Sequence, residues 1–339
     1  MRLLVVTQAV NLDNQAMGFF HGWIEELAKY SETIHVICLE EGRRTLSPHV
    51  HVHSLGKEGG RSRLKYIFRF YRYIFSLRND YDVVLVHMNS EYVVLGGLFW
   101  KMMGKRIVLW RNHKMRDLYT WIAVHFASKV CYTSPSAYVA QFKNAVKMPV
   151  GIDTEFFKPG GENPIEPLLF LGRLDAVKKP DIFLEAISRL AEEGKFVRVD
   201  VYGDPSPGRE AYAIALKEKY RHLSNVAFYP GVPNEQTPSL YASHAVYVNL
   251  TPSGSFDKTI GEAMACGCIV VVANDALRGV VPDALITKDD VPSTVSALKA
   301  VLTLSQDKCE EMSRSNRTYV EREHSLTLLM ERLVGVLKG

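Results

Sequence analysis

The sequence predicts an α/β protein made of two doubly wound parallel-sheet domains with a cleft between them. Throughout the 339 residues, short apolar runs alternate with longer amphipathic runs, as strands and helices do in an open parallel sheet covered on both faces. Prolines and glycines crowd the interval 149–167, and the alternation restarts after it. A domain holds roughly 100–200 residues, so the length also indicates two domains.

The elements of the first half follow from the spacing of its apolar residues. Strands are predicted where apolar residues run together, at 3–6, 34–39, 50–55, 83–87, 107–110 and 130–133. Helices are predicted where apolar residues recur every three or four positions, at 17–30, 62–78, 90–103 and 117–127. Such helices form the right-handed crossovers between parallel strands.

The second half repeats this alternation and predicts a second sheet. Its strands are expected at 168–171, 197–202, 226–229, 245–250, 269–273 and 284–286. Its helices are expected at 180–194, 208–222, 236–242, 258–266, 292–303, 306–323 and 325–338.

The composition excludes several classes of protein. Hydrophobic residues make up 47% and charged residues 23%, as in a globular chain and unlike a disordered, collagenous or coiled-coil one. No apolar run reaches the roughly 18 residues that span a bilayer, and a strand that begins at Leu3 leaves no room for a signal peptide. The five cysteines show neither disulfide nor zinc spacing. We therefore expect a reduced, cytoplasmic protein without a metal site.

Positive charge is concentrated in the first half. Residues 1–150 contain 20 Lys and Arg against 11 Asp and Glu, whereas the remaining residues contain 21 against 26. The excess centres on 61–78, whose cations are Arg61, Arg63, Lys65, Arg69, Arg72 and Arg78. This imbalance indicates that the first half meets an anionic partner.

The segment 61–78 allows two compatible interpretations. Its apolar stripe consists of Leu64, Ile67, Phe68, Tyr71, Ile74 and Phe75. Bordered by cations, such a stripe is typical of helices that lie on anionic membranes, at the inner face of the cell membrane in this case. The same stripe would pack on a sheet in a core-facing helix with a solvated basic back. Nucleic acid is not expected as a partner, because no recognition motif accompanies the charge.

Cations gather after predicted strands of the second half, where open parallel sheets bind ligands. Arg173 and Lys178 follow strand 168–171, and Lys258 follows strand 245–250. Arg offers a planar fork and Lys a mobile point charge, and together they suit a diphosphate. The alternative for each residue is an ordinary surface cation.

Two further features of the last of these loops suit a nucleotide. The backbone amides from Gly254 through Ser255 to Lys258 lead into a helix N-terminus and would form an anion-binding concavity. Glu262 lies one turn into that helix and can accept hydrogen bonds from a ribose diol. Its alternative role is to favour its own helix N-terminus.

Two common nucleotide-binding motifs are absent. No Gly-x-Gly-x-x-Gly follows a predicted strand, and no P-loop pattern ends in Gly-Lys-Ser/Thr. A nicotinamide dehydrogenase shares the predicted outline of the chain, but the sequence lacks the fingerprint it requires.

Four segments together resemble one enzyme family. They are Met148 to Pro159, Gly172-Arg173-Leu174 with Lys178, Tyr229 to Pro233 with Leu240-Tyr241, and Glu262-Ala263-Met264-Ala265-Cys266-Gly267. In this order they resemble the linker, phosphate-binding, nucleobase-loop and helix signatures of the retaining glycosyltransferases of family four. That family has the GT-B fold, in which two Rossmann-like domains face each other across a cleft.

The resemblance implies an activity and a division of labour. A sugar would pass from a nucleoside-diphosphate sugar to a glycan or lipid-linked acceptor, without a cofactor. Residues 1–152 would bind the acceptor, residues 153–324 would bind the donor, and helix 325–339 would pack back on the first domain. In cell-envelope polysaccharide or glycolipid synthesis, the acceptor would lie at a membrane surface.

The resemblance also implies roles for single residues. Arg173 and Lys178 would neutralise the donor phosphates, and Glu262 would hold the ribose. Val232 would lie beside the nucleobase. His113 corresponds to a cleft-edge histidine near the transferred sugar, and its alternative is a loop histidine that caps a backbone group.

Two positions depart from the family pattern. Gly18 lies near the family's glycine-rich loop of the first domain, but it is the only glycine there. The family has a second Glu eight positions before Glu262, where this chain has Gly254. We expect the loop amides, with Ser255 or Lys258, to bind the donor sugar or phosphate instead.

The expected chemistry is metal-independent transfer with retention of configuration. Arg173, Lys178 and the helix-end amides would stabilise the leaving diphosphate, so no metal is required. Two other functions fit the same residues. A sugar-nucleotide epimerase would form product without an acceptor, and a non-catalytic subunit would bind the sugar nucleotide, or dock on a membrane, without turnover.

Overall fold

The computed structural model describes residues 1–14, 17–60, 62–161, 164–252 and 257–339. They form two compact units. The first comprises residues 1–151 and 326–339, and the second comprises residues 152–325. The C-terminal helix, Leu326–Lys338, therefore belongs to the first unit.

The first unit is built on a seven-stranded parallel sheet. Its strands are β1 (Arg2–Val10), β2 (Thr33–Glu41), β3 (Val50–Ser54), β4 (Val83–His87), β5 (Arg106–Trp110), β6 (Lys129–Tyr132) and β7 (Ala145–Lys147). Their order is β3-β2-β1-β4-β5-β6-β7, so the winding reverses between β1 and β4. Strand β7 was not predicted, because three residues form too short an apolar run to be recognised.

Helices cover both faces of this sheet. Successive residues of β1 point to opposite faces, so Leu3 and Leu4 enter two separate cores. Helix α1 (Phe19–Ala28) and the C-terminal helix pack on the face of Leu3. Three helices pack on the face of Leu4: α2 (Arg63–Ser76), α3 (Ser90–Met102) and α4 (Leu118–Phe126).

Helix α2 is rotated away from the orientation that its apolar stripe predicts. Phe70 is fully buried against the sheet, whereas Leu64 and Phe68 are 81% and 71% exposed. The hydroxyl of Tyr66 donates to the carbonyl oxygen of Gly60 at 2.7 Å, which helps to fix this rotation. The core-facing interpretation is therefore wrong for Leu64 and Phe68.

Three histidines form a cluster on the edge strand β3 of the first sheet and on its neighbour β2. His35 Nδ1 and His53 Nε2 lie 3.1 Å apart, and the ring centroids of His35 and His51 lie 5.2 Å apart. Burial lowers the pKa of His53 to about 4, and the charges of His35 and His51 add to this shift. Burial, followed by the charge of His51, also lowers the pKa of His35.

Acid is therefore expected to destabilise the first unit. The unfolded chain takes up protons near the ordinary histidine pKa of about 6.5, whereas the folded cluster resists protonation, so the free energy of unfolding falls as the pH drops from about 6.5 towards 4. We expect a loss of about 1–2 kcal/mol between pH 7 and pH 5, measured by urea unfolding. His53→Gln should lose less, and the exposed His222→Gln in the second unit is the control. Equal pH slopes for wild type and His53→Gln would contradict this assignment.

The second unit is built on a five-stranded parallel sheet. Its strands are β8 (Leu168–Leu171), β9 (Val199–Tyr202), β10 (Val226–Tyr229), β11 (Val246–Asn249) and β12 (Ile269–Val272). Their order is β10-β9-β8-β11-β12, so the winding reverses between β8 and β11. The loops that follow β8 and β11 are therefore neighbours at the carboxyl edge of the sheet, where ligands bind.

One predicted strand of this unit is wrong. Residues Asp283–Leu285 form a short 3-10 helix, and Ile286 makes only an isolated bridge to Val272. Because the 3-10 turn occupies residues 283–285, only Ile286 of the predicted strand is left to pair with β12. The helices of the unit are α5 (Pro180–Glu192), α6 (Glu210–Lys219), α7 (Thr237–Ala242), α8 (Lys258–Ala265), α9 (Val291–Leu302) and α10 (Gln306–His324).

Helix α8 is held firmly at the reversal of the second sheet. Ile260, Ala263 and Met264 are fully buried, and α8 packs against α10. The side-chain Nδ2 of Asn316 on α10 donates to the carbonyl oxygen of Cys268, which lies beyond the end of α8, at 2.9 Å. This packing fixes where the N-terminus of α8 lies at the strand ends.

Candidate functional site at the strand ends

The loops after β8 and β9 approach each other through their backbones. The Leu174 amide donates to the carbonyl oxygen of Asp204 at 2.9 Å. A Cβ atom at Gly203 would collide with the carbonyl oxygen of Gly172. Glycine at position 203 is therefore what lets the two strand ends close together.

An ion pair joins the two loops of the reversal. Lys178 Nζ, after β8, pairs with Asp257 Oδ2, after β11, and both side chains are largely buried. Asp257 Oδ2 also accepts hydrogen bonds from Asn249 Nδ2 and Thr251 Oγ1, each at 3.0 Å. Thr259 Oγ1 donates to the other carboxylate oxygen at 3.0 Å. The network fixes the Lys178 ammonium group at the reversal.

Asp257 remains ionised in spite of its burial. Burial alone would raise its pKa, but the charge of Lys178, together with hydrogen bonds from Lys178, Asn249 and Thr251, lowers the pKa to about 2. The same carboxylate caps α8 by accepting from the Thr259 amide at 3.4 Å. The sequence analysis gave Asp257 no role. Its position directly before the helix is an N-cap signal that could have found it.

Arg173 projects from the loop after β8 and is 55% exposed. Its Nη1 donates to Ser206 Oγ at 3.3 Å and lies 3.6 Å from Asp175 Oδ2. Ser206 Oγ in turn donates to Asp175 Oδ2 at 2.6 Å. The guanidinium is oriented by these two residues, which the sequence analysis also left without a role, and its other donors can serve an anion.

Lys258 and Glu262 lie one turn apart on α8. Glu262 is only 3% exposed, and burial raises the pKa of its carboxyl against the charge of Lys258. Burial lowers the pKa of Lys258, against the charges of Glu262 and Asp153. The Asn234 side chain also hydrogen-bonds to Glu262. A ribose diol would therefore reach a carboxylate that already has neighbours within the protein.

Two tyrosines end the neighbouring strands β9 and β10. The rings of Tyr202 and Tyr229 are stacked, with centroids 4.5 Å apart and planes inclined by 15°. Val232 lies three residues beyond Tyr229 and is half-buried. The structure thus places Val232 in the loop that follows β10, on the opposite side of β8 from α8.

Gly18 and His113 lie at the carboxyl edge of the sheet in the first unit. Gly18 directly precedes α1, and its amide donates to the carbonyl oxygen of Asn14 at 2.7 Å. His113 follows β5 and is exposed, and its Nδ1 accepts from the Met115 amide at 3.1 Å. The neutral His113 ring therefore carries its proton on Nε2, which can donate to a bound ligand.

A further residue of this edge has an unusual backbone. Met88 directly follows β4 at the reversal of the first sheet, and its φ is +69°. Arg111 Nη1 donates to its carbonyl oxygen at 2.8 Å. Left-handed non-glycine residues cluster at functional sites. No feature of the sequence distinguishes Met88 in advance.

The cations predicted on the surface of α2 can be located in the structure, except for Arg61. Arg63, Lys65 and Arg72 are exposed on α2. Arg69 is exposed as well, and its Nη1 donates to the Leu55 carbonyl oxygen in the loop before α2 at 2.9 Å. Arg61, Gly254 and Ser255 lie outside the described residues.

In the parts of the chain that the structure describes, no helix combines the length and apolarity needed to cross a bilayer.

Two family models match the chain, one in each unit. Residues 166–304 match the family described as glycosyl transferases group 1. Residues 11–111 match the family described as glycosyl transferase 4-like.

Curated relatives match part of the chain. The D-inositol 3-phosphate glycosyltransferase of Segniliparus rotundus is 28% identical over 206 residues, which cover 55% of this chain and 45% of that protein. The protein of the same name from Mycobacterium ulcerans is 33% identical over 172 residues, which cover 45% of this chain and 36% of that protein. The matched region thus spans less than half of the length of these relatives.

Solved structures match the chain over its whole length. Anabaena HepE in complex with UDP and glucose has a TM-score of 0.77 and 14% identity, with 100% of both chains covered. Sucrose-phosphate synthase from Thermosynechococcus elongatus has a TM-score of 0.79 and 15% identity, with 99% of this chain and 98% of that chain covered. This likeness shows that the fold is GT-B. Together with the two family matches, it supports a glycosyltransferase of the GT-B type.

Proposed function

We propose that this chain is a retaining glycosyltransferase that binds a nucleoside-diphosphate sugar on its second unit and transfers the sugar to a glycan or a lipid-linked acceptor. The observation that carries this proposal is the placement of Arg173, Lys178 and Glu262 around the reversal of the second sheet. The family matches in both units support it. The HepE structure that resembles this chain was solved with UDP, which supports a nucleoside diphosphate as the ligand.

The charges at the reversal suit a leaving diphosphate. As the bond between the anomeric carbon and the phosphate oxygen breaks, negative charge accumulates on the diphosphate. The exposed Arg173 guanidinium can bind two of its oxygens, and Lys178 can donate another of its N–H groups to a third while it stays paired with Asp257. The N-terminus of α8 adds the positive end of a helix dipole. With these positive groups in place, we propose transfer without a metal ion.

The family resemblance supports the proposal that the sugar is transferred with retention of configuration. In front-face transfer the acceptor hydroxyl attacks on the side that the diphosphate leaves, and its proton passes to an oxygen of the departing diphosphate. The protein then needs no dedicated base. His113, with its proton on Nε2, is proposed to donate a hydrogen bond to the transferred sugar.

Because position 254 is Gly where the family has Glu, the sugar nucleotide must be held by other contacts at this loop. Because Gly254 offers no carboxylate, we propose that Lys258 and the backbone amides of the same loop make the donor contacts that the family's Glu makes. Lys258 begins α8, and its ammonium group can donate hydrogen bonds to a sugar hydroxyl or a phosphate. In this arrangement Glu262 keeps its role at the ribose.

Donor turnover with stereochemical analysis tests the proposal. The protein is incubated with UDP- and GDP-sugars, with and without EDTA, and the first anomer released by slow hydrolysis is identified by NMR. We expect the retained anomer and no effect of EDTA. Arg173→Ala should lower the rate about ten- to a hundredfold, because a charged hydrogen-bond partner is worth about 1.5–3 kcal/mol. An inverted anomer, an isomerised sugar nucleotide, or an unchanged rate in Arg173→Ala would contradict the proposal.

A further inference from the structure

We infer that the outer surface of α2, α3 and α4 docks on an anionic lipid bilayer. This inference deepens the proposed function, because it names the surface on which a lipid-linked acceptor is met. We call this surface the three-helix face. It consists of the side chains of the three helices that point away from the sheet of the first unit.

The three-helix face is unusually apolar for a surface. Large hydrophobic side chains are exposed on each helix: Leu64, Ile67, Phe68 and Phe75 on α2, Leu98 and Met102 on α3, and Leu118, Tyr119 and Trp121 on α4. Leu64, Phe68 and Met102 are 81%, 71% and 75% exposed. Scattered apolar residues on a surface need no explanation, but an apolar set shared by adjacent helices marks an interaction site.

Contacts between the helices make this face continuous. The ring centroids of Phe75 on α2 and Phe99 on α3 lie 5.2 Å apart, and the Tyr71 hydroxyl donates to the Leu95 carbonyl oxygen at 3.1 Å. Lys101 Nζ on α3 donates to the carbonyl oxygen of His125 on α4 at 3.1 Å. The three helices also share one buried core against the sheet. The apolar side chains therefore belong to one rigid layer of the first unit.

Charge complementarity identifies the occupant as an anionic bilayer. The three helices carry the cations Arg63, Lys65, Arg69, Arg72 and Lys101, and the only acid among the described residues of these helices is Glu91. Lys65 and Arg72 border the stripe that contains Leu64 and Phe68. Aromatic and aliphatic side chains rimmed by Lys and Arg are the composition of helices that lie in the headgroup layer of anionic membranes.

Vesicle binding by the full chain tests the inference. The protein is sedimented with phosphatidylcholine vesicles and with vesicles of phosphatidylcholine and phosphatidylglycerol in equal parts, without any sugar nucleotide. We expect binding to the second kind only, weakened by salt. The double variant Leu64→Ser, Phe68→Ser should bind at least about tenfold more weakly, because it removes two apolar side chains that would be buried among the headgroups. Lys65→Glu with Arg72→Glu should have a comparable effect, because it replaces two cations that attract an anionic surface with two acids that repel it.

A matched control separates this face from hydrophobic exposure in general. Phe196 and Ile214 on the second unit are each 69% exposed, so Phe196→Ser with Ile214→Ser removes similar apolar surface elsewhere. This control should bind vesicles as the wild type does. Equal binding by wild type and the Leu64→Ser, Phe68→Ser variant would overturn the inference. The absence of vesicle binding at low salt would also overturn the inference, as would binding of equal strength to vesicles of phosphatidylcholine alone.

The failure of this inference is distinguishable from the failure of the proposed function. Donor hydrolysis is measured without vesicles, and the Leu64→Ser, Phe68→Ser variant should keep the wild-type rate. A variant that loses hydrolysis together with vesicle binding would show that the substitutions disturb the fold, and the charge-reversal pair then decides. Self-association of the wild type that the Leu64→Ser, Phe68→Ser variant abolishes, without vesicle binding, would assign the face to a second copy of the chain.

Discussion

Asp257→Ala is expected to lower the free energy of unfolding of the second unit by about 3–5 kcal/mol, because removing one partner of a buried ion pair leaves the other charge uncompensated. Lys178 would lose the carboxylate that holds its ammonium group. Asn249, Thr251 and Thr259 would lose an acceptor as well. Thermal and urea unfolding of the full chain, followed by a probe in the second unit, measures the loss.

A second N-cap aspartate separates the ion pair from simple helix capping. Asp290 caps α9, where its carboxylate accepts from the Ser293 amide at 2.7 Å, and it has no ion pair among the described residues. Asp290→Ala should cost only about 1 kcal/mol, the usual value of a cap. Equal losses for Asp257→Ala and Asp290→Ala would mean that the ion pair contributes nothing beyond the cap.

Glu262→Ala is expected to weaken donor binding about ten- to a hundredfold, because a hydrogen bond to a charged group contributes about 1.5–3 kcal/mol. Burial raises the pKa of Glu262, so donor affinity in the wild type should increase with pH as the carboxyl ionises. Glu262→Gln keeps the shape of the side chain and should lose this pH dependence. Calorimetric titration with a nucleoside diphosphate over a range of pH measures both effects.

Two controls accompany the Glu262 variants. Glu311 is an exposed acid on α10, so Glu311→Ala should leave donor affinity unchanged. Thermal unfolding in the absence of nucleotide shows whether Glu262→Ala disturbs the packing of α8. Wild-type affinity in Glu262→Ala would remove Glu262 from the donor site.

The fold was largely predictable because its elements are defined by local patterns. The prediction of two doubly wound parallel-sheet domains is confirmed. Strand β8 was predicted with its observed bounds, because Leu168–Leu171 is an uninterrupted apolar run. The rotation of α2 was not predictable, because Tyr66, Phe70 and Tyr73 widen the apolar surface of this helix beyond the predicted stripe. Its orientation depends on tertiary contacts such as that of the Tyr66 hydroxyl with Gly60.

The candidate site was predictable only in part. Arg173, Lys178 and Glu262 could be selected because they follow strands and match family motifs. A local N-cap signal could have identified Asp257, but its ion pair with Lys178 was not predictable, because the two residues lie 79 positions apart and no local pattern reveals such a pair. The same limit applies to Ser206, whose hydroxyl joins Arg173 and Asp175 across two loops.

Binding of nucleoside-diphosphate sugars to the full chain is the most direct test of the proposed donor site. Thermal unfolding is followed against a panel of UDP-, GDP-, ADP- and dTDP-sugars for the wild type, Lys178→Ala and Glu262→Ala. We predict a saturable rise in the unfolding temperature of the wild type with at least one donor, and a smaller rise or none in both variants. A folded wild-type protein that no donor stabilises, or variants stabilised as strongly as the wild type, would contradict a donor site at the reversal of the second sheet.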